Sequence, residues 1–155
     1  MSIFRLIAPF VAAGLIAGLP ASAAEKKQVT WSTVFGPVLQ RSEVKSAGHV
    51  MSLQTRQDIT SSSDPDWDGA VFVVSGVADV LDGNGPISGC GTRTHKNGDQ
   101  SFICYQGTTK RSGDAVAAEG TVELRGGTGK FANLKGKGTF TGTAKGATVT
   151  AEVEY

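Results

Sequence analysis

Residues 125–131 read RGGTGKF, a glycine-rich run ending in Gly-Lys that has the look of a phosphate cradle. A Walker A loop needs G-x-x-x-x-G-K-[ST]; that spacing would put glycine at 124 and a hydroxyl residue at 131, where the chain has Leu124 and Phe131. Gly127, Gly129 and Ala132 do fit the dinucleotide pattern G-x-G-x-x-[GA], but that pattern must open a helix whose N-terminus takes the pyrophosphate. The segment that follows, ANLKGKGTFTGTAKGA, is too rich in glycine and threonine to make one. The run is therefore predicted to be a turn, with its glycines supplying positive φ and Phe131 turned inward as a plug.

Metal and acid-base chemistry have few other footholds. DPDWDGAV imitates a calcium loop, with Asp64, Asp66 and Asp68 at alternate positions followed by Gly69. The bidentate glutamate is missing, because Ser75 stands in its place, and Val71 onward reads as strand rather than helix. A plain turn is the preferred reading, with weak calcium binding as the alternative. His49 and His95 are the only histidines, and no Gly-x-Ser-x-Gly elbow exists. Asp79 is the single ionisable residue of VFVVSGVADVL (71–81). Desolvation there would raise its pKa and make it a candidate acid; a hydrogen-bonded carboxylate at a strand end is the blander reading. Nothing calls for a cofactor.

Cys90 and Cys104 flank GTRTHKNGDQSFI. If Lys96-Asn97-Gly98 is a three-residue hairpin loop with Gly98 left-handed, residue 95 pairs with 99 and Cys90 faces Cys104. Alternation puts them in a non-hydrogen-bonded pair, with Cα atoms about 4.5 Å apart, near the lower limit for a disulfide. Free or metal-binding thiols are the competing reading, and no C-x-x-C partner supports it.

The elements that must position these residues alternate with period two, the strand signature. Val29, Trp31, Thr33 and Phe35 form one face; Met51, Leu53 and Ile59 oppose Ser52, Gln54, Arg56 and Asp58; Ala118, Val122 and Leu124 oppose Glu119, Thr121 and Glu123; Val149, Ala151 and Val153 oppose Thr148, Thr150 and Glu152. Residues 71–81 are apolar on both faces and predict a strand buried from both sides. Between Pro37 and Ser46 the pattern blurs enough to hide a short helical turn. Seven or eight short strands predict a barrel or a sandwich.

The first 23 residues read as a cleaved secretory leader: Arg5, an apolar stretch from Leu6 to Leu19, then Ala21-Ser22-Ala23. A membrane-spanning helix wants roughly 20 apolar residues, and no other stretch comes near that. One domain, residues 24–155, is expected to be periplasmic or secreted, with no membrane attachment after cleavage. The full chain has 15 basic and 14 acidic residues. Losing Arg5 brings the balance to zero, and the basic residues form no stripe, so nucleic acid is not an expected partner.

The stretch GTVELRGGTGKFANLKGKGTFTG (120–142) resembles a signature of the allene oxide cyclase-like barrel superfamily, related in fold to dirigent proteins. Gly126–Phe131 matches its Gly-Gly-Thr-Gly-Lys-[FY] turn and Lys135–Phe140 its Lys-Gly-x-Gly-Thr-[FY] strand, while Asn97-Gly98-Asp99 resembles its hairpin turn. The match covers residues 70–142 or so. It implies an eight-stranded antiparallel barrel with an apolar cavity, often in homo-oligomers. These motifs are scaffold turns, so no catalytic residue is carried over; Glu43 is available without a motif to support it. The leading expectation is a barrel that binds or shields a small, mostly apolar molecule, with Trp31, Phe35, Phe72, Val74, Phe102 and Phe140 as candidate lining residues. A cyclase or isomerase of the allene oxide cyclase type, or a structural protein without a ligand, are the alternatives.

Overall fold

The computed structural model describes residues 26–155; the expected leader lies outside the described residues. The strands are β1 (Lys26–Val34), β2 (Val38–Ser46), β3 (His49–Ser62), β4 (Val71–Leu81), β5 (Gly85–Thr94), β6 (Gln100–Ser112), β7 (Ala115–Gly127), β8 (Lys135–Thr143) and β9 (Gly146–Glu154). They form one antiparallel sheet in the order β1-β9-β8-β7-β6-β5-β4-β3-β2, and β1 also pairs with β3. That last pairing, from Trp31 opposite Ser62 to Val34 opposite Ile59, closes the sheet into a ring. Closure removes the open edges that β1 and β3 would otherwise present.

β2 stands outside this cycle. It pairs only with the first half of β3, from Val38 opposite Arg56 to Ser46 opposite His49, and all nine of its residues are exposed. The sequence suggested a helical turn here, but the chain makes a hairpin instead. Ala47 and Gly48 both take positive φ, 47° and 82°, the two-residue turn whose twist suits flanking strands. Its free edge carries Arg41, Glu43 and Lys45, with Glu43 ion-paired to both neighbours; charges of this kind discourage edge-to-edge association.

Inside the ring, alternation works as expected on β1, β7 and β9, where Val29, Trp31, Val122, Leu124, Val149, Ala151 and Val153 are buried. Two other faces do not follow the sequence. On β3 the apolar set points outward, leaving Met51, Leu53 and Ile59 exposed while Asp58 and Thr60 are fully buried. On β4 only one face is covered: Phe72 and Val74 are buried, whereas Val73 and Val77 are exposed.

RGGTGKF ends β7 and runs into a single 3-10 turn, Gly129–Phe131. No helix follows to hold a pyrophosphate. Phe131 is buried at one end of the ring. Beside it, the β5–β6 turn has Gly98 at φ 87°, and Gly98 N–H donates to the His95 carbonyl. The resulting register sets Cys90 opposite Cys104, and the two form a disulfide with Cα atoms 4.0 Å apart. The bridge closes a 15-residue loop, a constraint worth on the order of 3 kcal/mol in the chain-entropy model. Cys90→Ser is accordingly expected to lower Tm by about 10 °C under oxidising conditions, and to abolish the effect of reductant on the melt. Equal melting of variant and oxidised wild type would show that the bridge contributes nothing.

Candidate functional site

One end of the ring is closed. The loop between β3 and β4 folds inward so that Trp67 is fully buried and stacks on Trp31, with ring centroids 5.0 Å apart and planes 11° from parallel. His95 and Phe131 meet Trp67 edge-on at 5.4 and 5.6 Å and stack on each other at 3.9 Å. Offset and edge-on contacts of this kind add about 0.5–1.5 kcal/mol each beyond area burial. Together they make a solid aromatic floor.

A belt of charge ties that floor to the strands. Lys27 Nζ lies 2.8 Å from Asp64, Lys130 Nζ 2.5 Å from Asp66, and Lys96 Nζ 3.0 Å from Asp68. Tyr155 Oη donates to Asp66. The Lys130 ammonium, helped by Tyr155, holds the Asp66 carboxyl below its ordinary range despite some burial. Each of the three aspartates suggested as calcium ligands is thus committed to a lysine, and among the described residues no group of acidic, histidine or cysteine side chains converges on a metal position. Within the loop, Asp64 accepts from Asp66 N–H and Asp68 from Ser62 N–H, bonds that shape the turn inserting Trp67.

His95 sits against this floor, 4% exposed. The Asp66 carbonyl can only accept, so His95 Nδ1–H donates to it at 2.7 Å, leaving Nε2 to accept from Ser101 Oγ at 2.9 Å. Burial depresses its pKa, and the Arg93 charge adds to that effect against the Asp66 carbonyl. The neutral form is favoured in the fold, so stability is full above the unfolded value of about 6.5 and falls as the pH drops below it. His95→Gln is expected to flatten the loss of Tm between pH 7 and 5; an unchanged slope would assign that loss to other groups.

The opposite end, where the turns 82–84, 113–114 and 144–145 gather, is open. A cavity of about 210 Å³ enters there between Gln54, Arg56, Tyr105, Val116, Phe140 and Ala147. An inner cavity of about 70 Å³ adjoins it and reaches Trp31, Phe72 and Arg93. Phe35, Arg56, Tyr105, Phe140 and Ala147 border both. Two of these rings take space that a side chain at a glycine position would otherwise fill. A methyl group at Gly76 would overlap the Tyr105 hydroxyl, and one at Gly120 would overlap both Phe140 and the Gln106 carbonyl.

The polar groups within are few and buried. Asp58 is fully buried; its two carboxylate oxygens share the single Arg56 Nε–H, at 3.0 and 2.8 Å, and one of them accepts from Gly36 N–H at 3.1 Å. The Arg56 guanidinium lies over the Phe35 ring at 3.7 Å. Arg93 is 1% exposed and, among the described residues, has no carboxylate within ion-pair distance. Its guanidinium rests over Trp31 at 4.6 Å and over Trp67 and Phe72 at 5.2 Å. Burial pushes its pKa down to about 9, so it remains charged at neutral pH.

Of the six residues expected to line an interior, Trp31, Phe35, Phe72 and Phe140 border the inner cavity. Val74 is buried in the core without bordering either cavity. Phe102 is a correction: it points outward and is 39% exposed. It shares strand parity with Cys104, and the disulfide lies on the outer face, so Phe102 must lie there too. Asp79 is another. Its side chain is 56% exposed and lies 2.5 Å from His49 Nε2 on the outer face, so the desolvation that would have made it an acid is absent. Glu43 sits on the exposed β2, with its carboxyl held below the ordinary range by the Lys45 ammonium and by Arg41. Arg93, Asp58, Trp67 and Tyr105 were not singled out from sequence. Counting alternation outward from Cys90 would have turned Arg93 inward.

No protein-family model matches the chain, and no curated protein does. Among solved structures it is similar to a protein of unknown function from Clostridium acetobutylicum ATCC 824, with a TM-score of 0.57 at 8% identity over 87% of this chain and 99% of that one. A conserved protein of unknown function from Rhodopseudomonas palustris gives a TM-score of 0.53 at 8% identity, over 86% and 99% of the two chains. At such identities the likeness is one of fold alone.

Proposed function

We propose that the protein is an exported eight-stranded barrel of the allene oxide cyclase-like kind that takes up a small, mostly apolar molecule through its open end. The observation that carries this reading is the pair of adjoining cavities walled by Phe35, Phe72, Tyr105 and Phe140. Side chains alone can fill a ring of this size. Here the open end is bordered by Gly76, Ala118, Gly142 and Ala147, positions where leucine or phenylalanine would close the void and recover the contacts that a hollow forfeits. The outward disulfide and the expected leader support export to the periplasm or beyond.

A cyclase or isomerase is the second reading, favoured by the inward Arg56 and Asp58 beside the void. Cavity shape would then do most of the work by holding one conformer of the substrate, since Asp58 is already bonded to Arg56. Native mass spectrometry of protein purified without denaturation from its own compartment tests the first reading. A small-molecule adduct is expected on the wild type and is expected to be lost from Ala147→Phe, which puts a ring into the space where the two cavities adjoin. A wild-type chain without an adduct, whose Tm no apolar probe shifts, would overturn it.

A further inference from the structure

The inner cavity has a chemical bias that its apolar walls do not explain. Four buried side-chain polar atoms lack a hydrogen-bond partner among the described residues, and three of them, Arg93 Nε, Arg93 Nη1 and Trp31 Nε1, belong to residues that border this one cavity. All three are donors. The aromatic rings around Arg93 offset its charge but supply no lone-pair acceptor for its N–H groups. Buried donors without acceptors cost roughly 1–3 kcal/mol each, more when charged, a cost that an acceptor carried in by a ligand would remove.

The charged side chains bordering the two cavities are Arg56, Asp58 and Arg93. Arg56 and Asp58 neutralise each other, which leaves one positive charge in an apolar interior. A monoanion matches it, while a phosphate dianion would find no second cation. The inner cavity, about 70 Å³, holds a planar carboxylate and its neighbouring carbons, and the wider cavity above it, about 210 Å³, holds a body the size of one six-membered ring.

We propose that the ligand is a compact monocarboxylate with a short aromatic or alicyclic body, its carboxylate buried against Arg93 and Trp31 and its body lying against the wall that Tyr105 and Phe140 form together. This rests on the reading of the interior as a ligand site and names the class of molecule it takes. Arg93 is the anion-binding residue, and the lack of a carboxylate beside it among the described residues leaves it available for one brought by the ligand.

The test pairs acids with their alcohols: benzoate with benzyl alcohol, and cyclohexanecarboxylate with cyclohexylmethanol, each followed by Tm and by tryptophan emission, since Trp31 and Trp67 both abut Arg93. The acids are expected to bind at least about tenfold more tightly than the alcohols, as charge-assisted hydrogen bonds require. In Arg93→Met that preference is expected to vanish while Tm stays level or rises, because an apolar side chain replaces a charge short of partners. The comparison of acid with alcohol in the wild type stands even if the variant folds poorly. Equal binding of acid and alcohol, or an acid preference that survives in Arg93→Met, would overturn the carboxylate assignment and leave the apolar site standing. Wild-type protein that binds none of the four would overturn both.

Discussion

Trp67→Ala is expected to cost about 4 kcal/mol of stability, within the range for truncating a buried tryptophan. Its side chain is fully buried and contacts Trp31, His95, Phe131 and Tyr155, so its removal opens the floor of the ring rather than a corner of it. The neighbours cannot collapse inward, because His95 is held by the Asp66 carbonyl and Ser101 and Trp31 by the closure of β1 onto β3. Against a total of about 5–15 kcal/mol for a typical domain, this leaves a marginal fold. Urea denaturation followed by circular dichroism gives the number directly. A loss under about 1 kcal/mol, well below the range for such truncations, would mean that the loop between β3 and β4 does not plug the ring.

Asp58→Ala is expected to cost about 3 kcal/mol, at the low end for breaking a buried ion pair. The penalty is that of leaving Arg56 without its acceptor inside the ring, together with the loss of the bond that Gly36 N–H makes to the carboxylate. It falls at the low end because Arg56 keeps 17% of its side-chain surface exposed and can turn toward the open end. The double variant Asp58→Ala with Arg56→Met is expected to recover much of the loss, since the two residues act as one unit. If the single variant and the double variant prove equally unstable, the carboxylate matters for something other than Arg56. Together with Arg93→Met, these variants separate the polar pair that holds the wall from the lone charge left for a ligand.

The face inversion on β3 shows where sequence reasoning reached its limit. Met51, Leu53 and Ile59 alternate with Gln54, Arg56 and Asp58, and the period is read correctly as strand. Period two does not say which set faces in. The usual rule assigns the apolar set to the interior, but here the interior keeps a polar pair and the apolar set lies on the outer surface. Phe102 and Asp79 fail for the same reason, each being placed by its residue type rather than by its parity with a neighbour of known orientation. Cys90, had its outward direction been known, would have turned Phe102 out and Arg93 in. β2 went unread because its turn is Ala47-Gly48 and not the Asn-Gly step that marks a tight hairpin.

By itself, the sequence determined the all-β class, the turn in RGGTGKF and the pairing of Cys90 with Cys104. These are local properties: glycine placement, alternation and loop length act over a few residues and leave a trace in the chain itself. Tertiary structure alone decided that β1 closes onto β3, that Trp67 and Phe131 meet beneath Arg93, and that a hollow remains above them. Those facts depend on residues 25 or more positions apart being brought together, and no local pattern records which side of a strand will find itself inside.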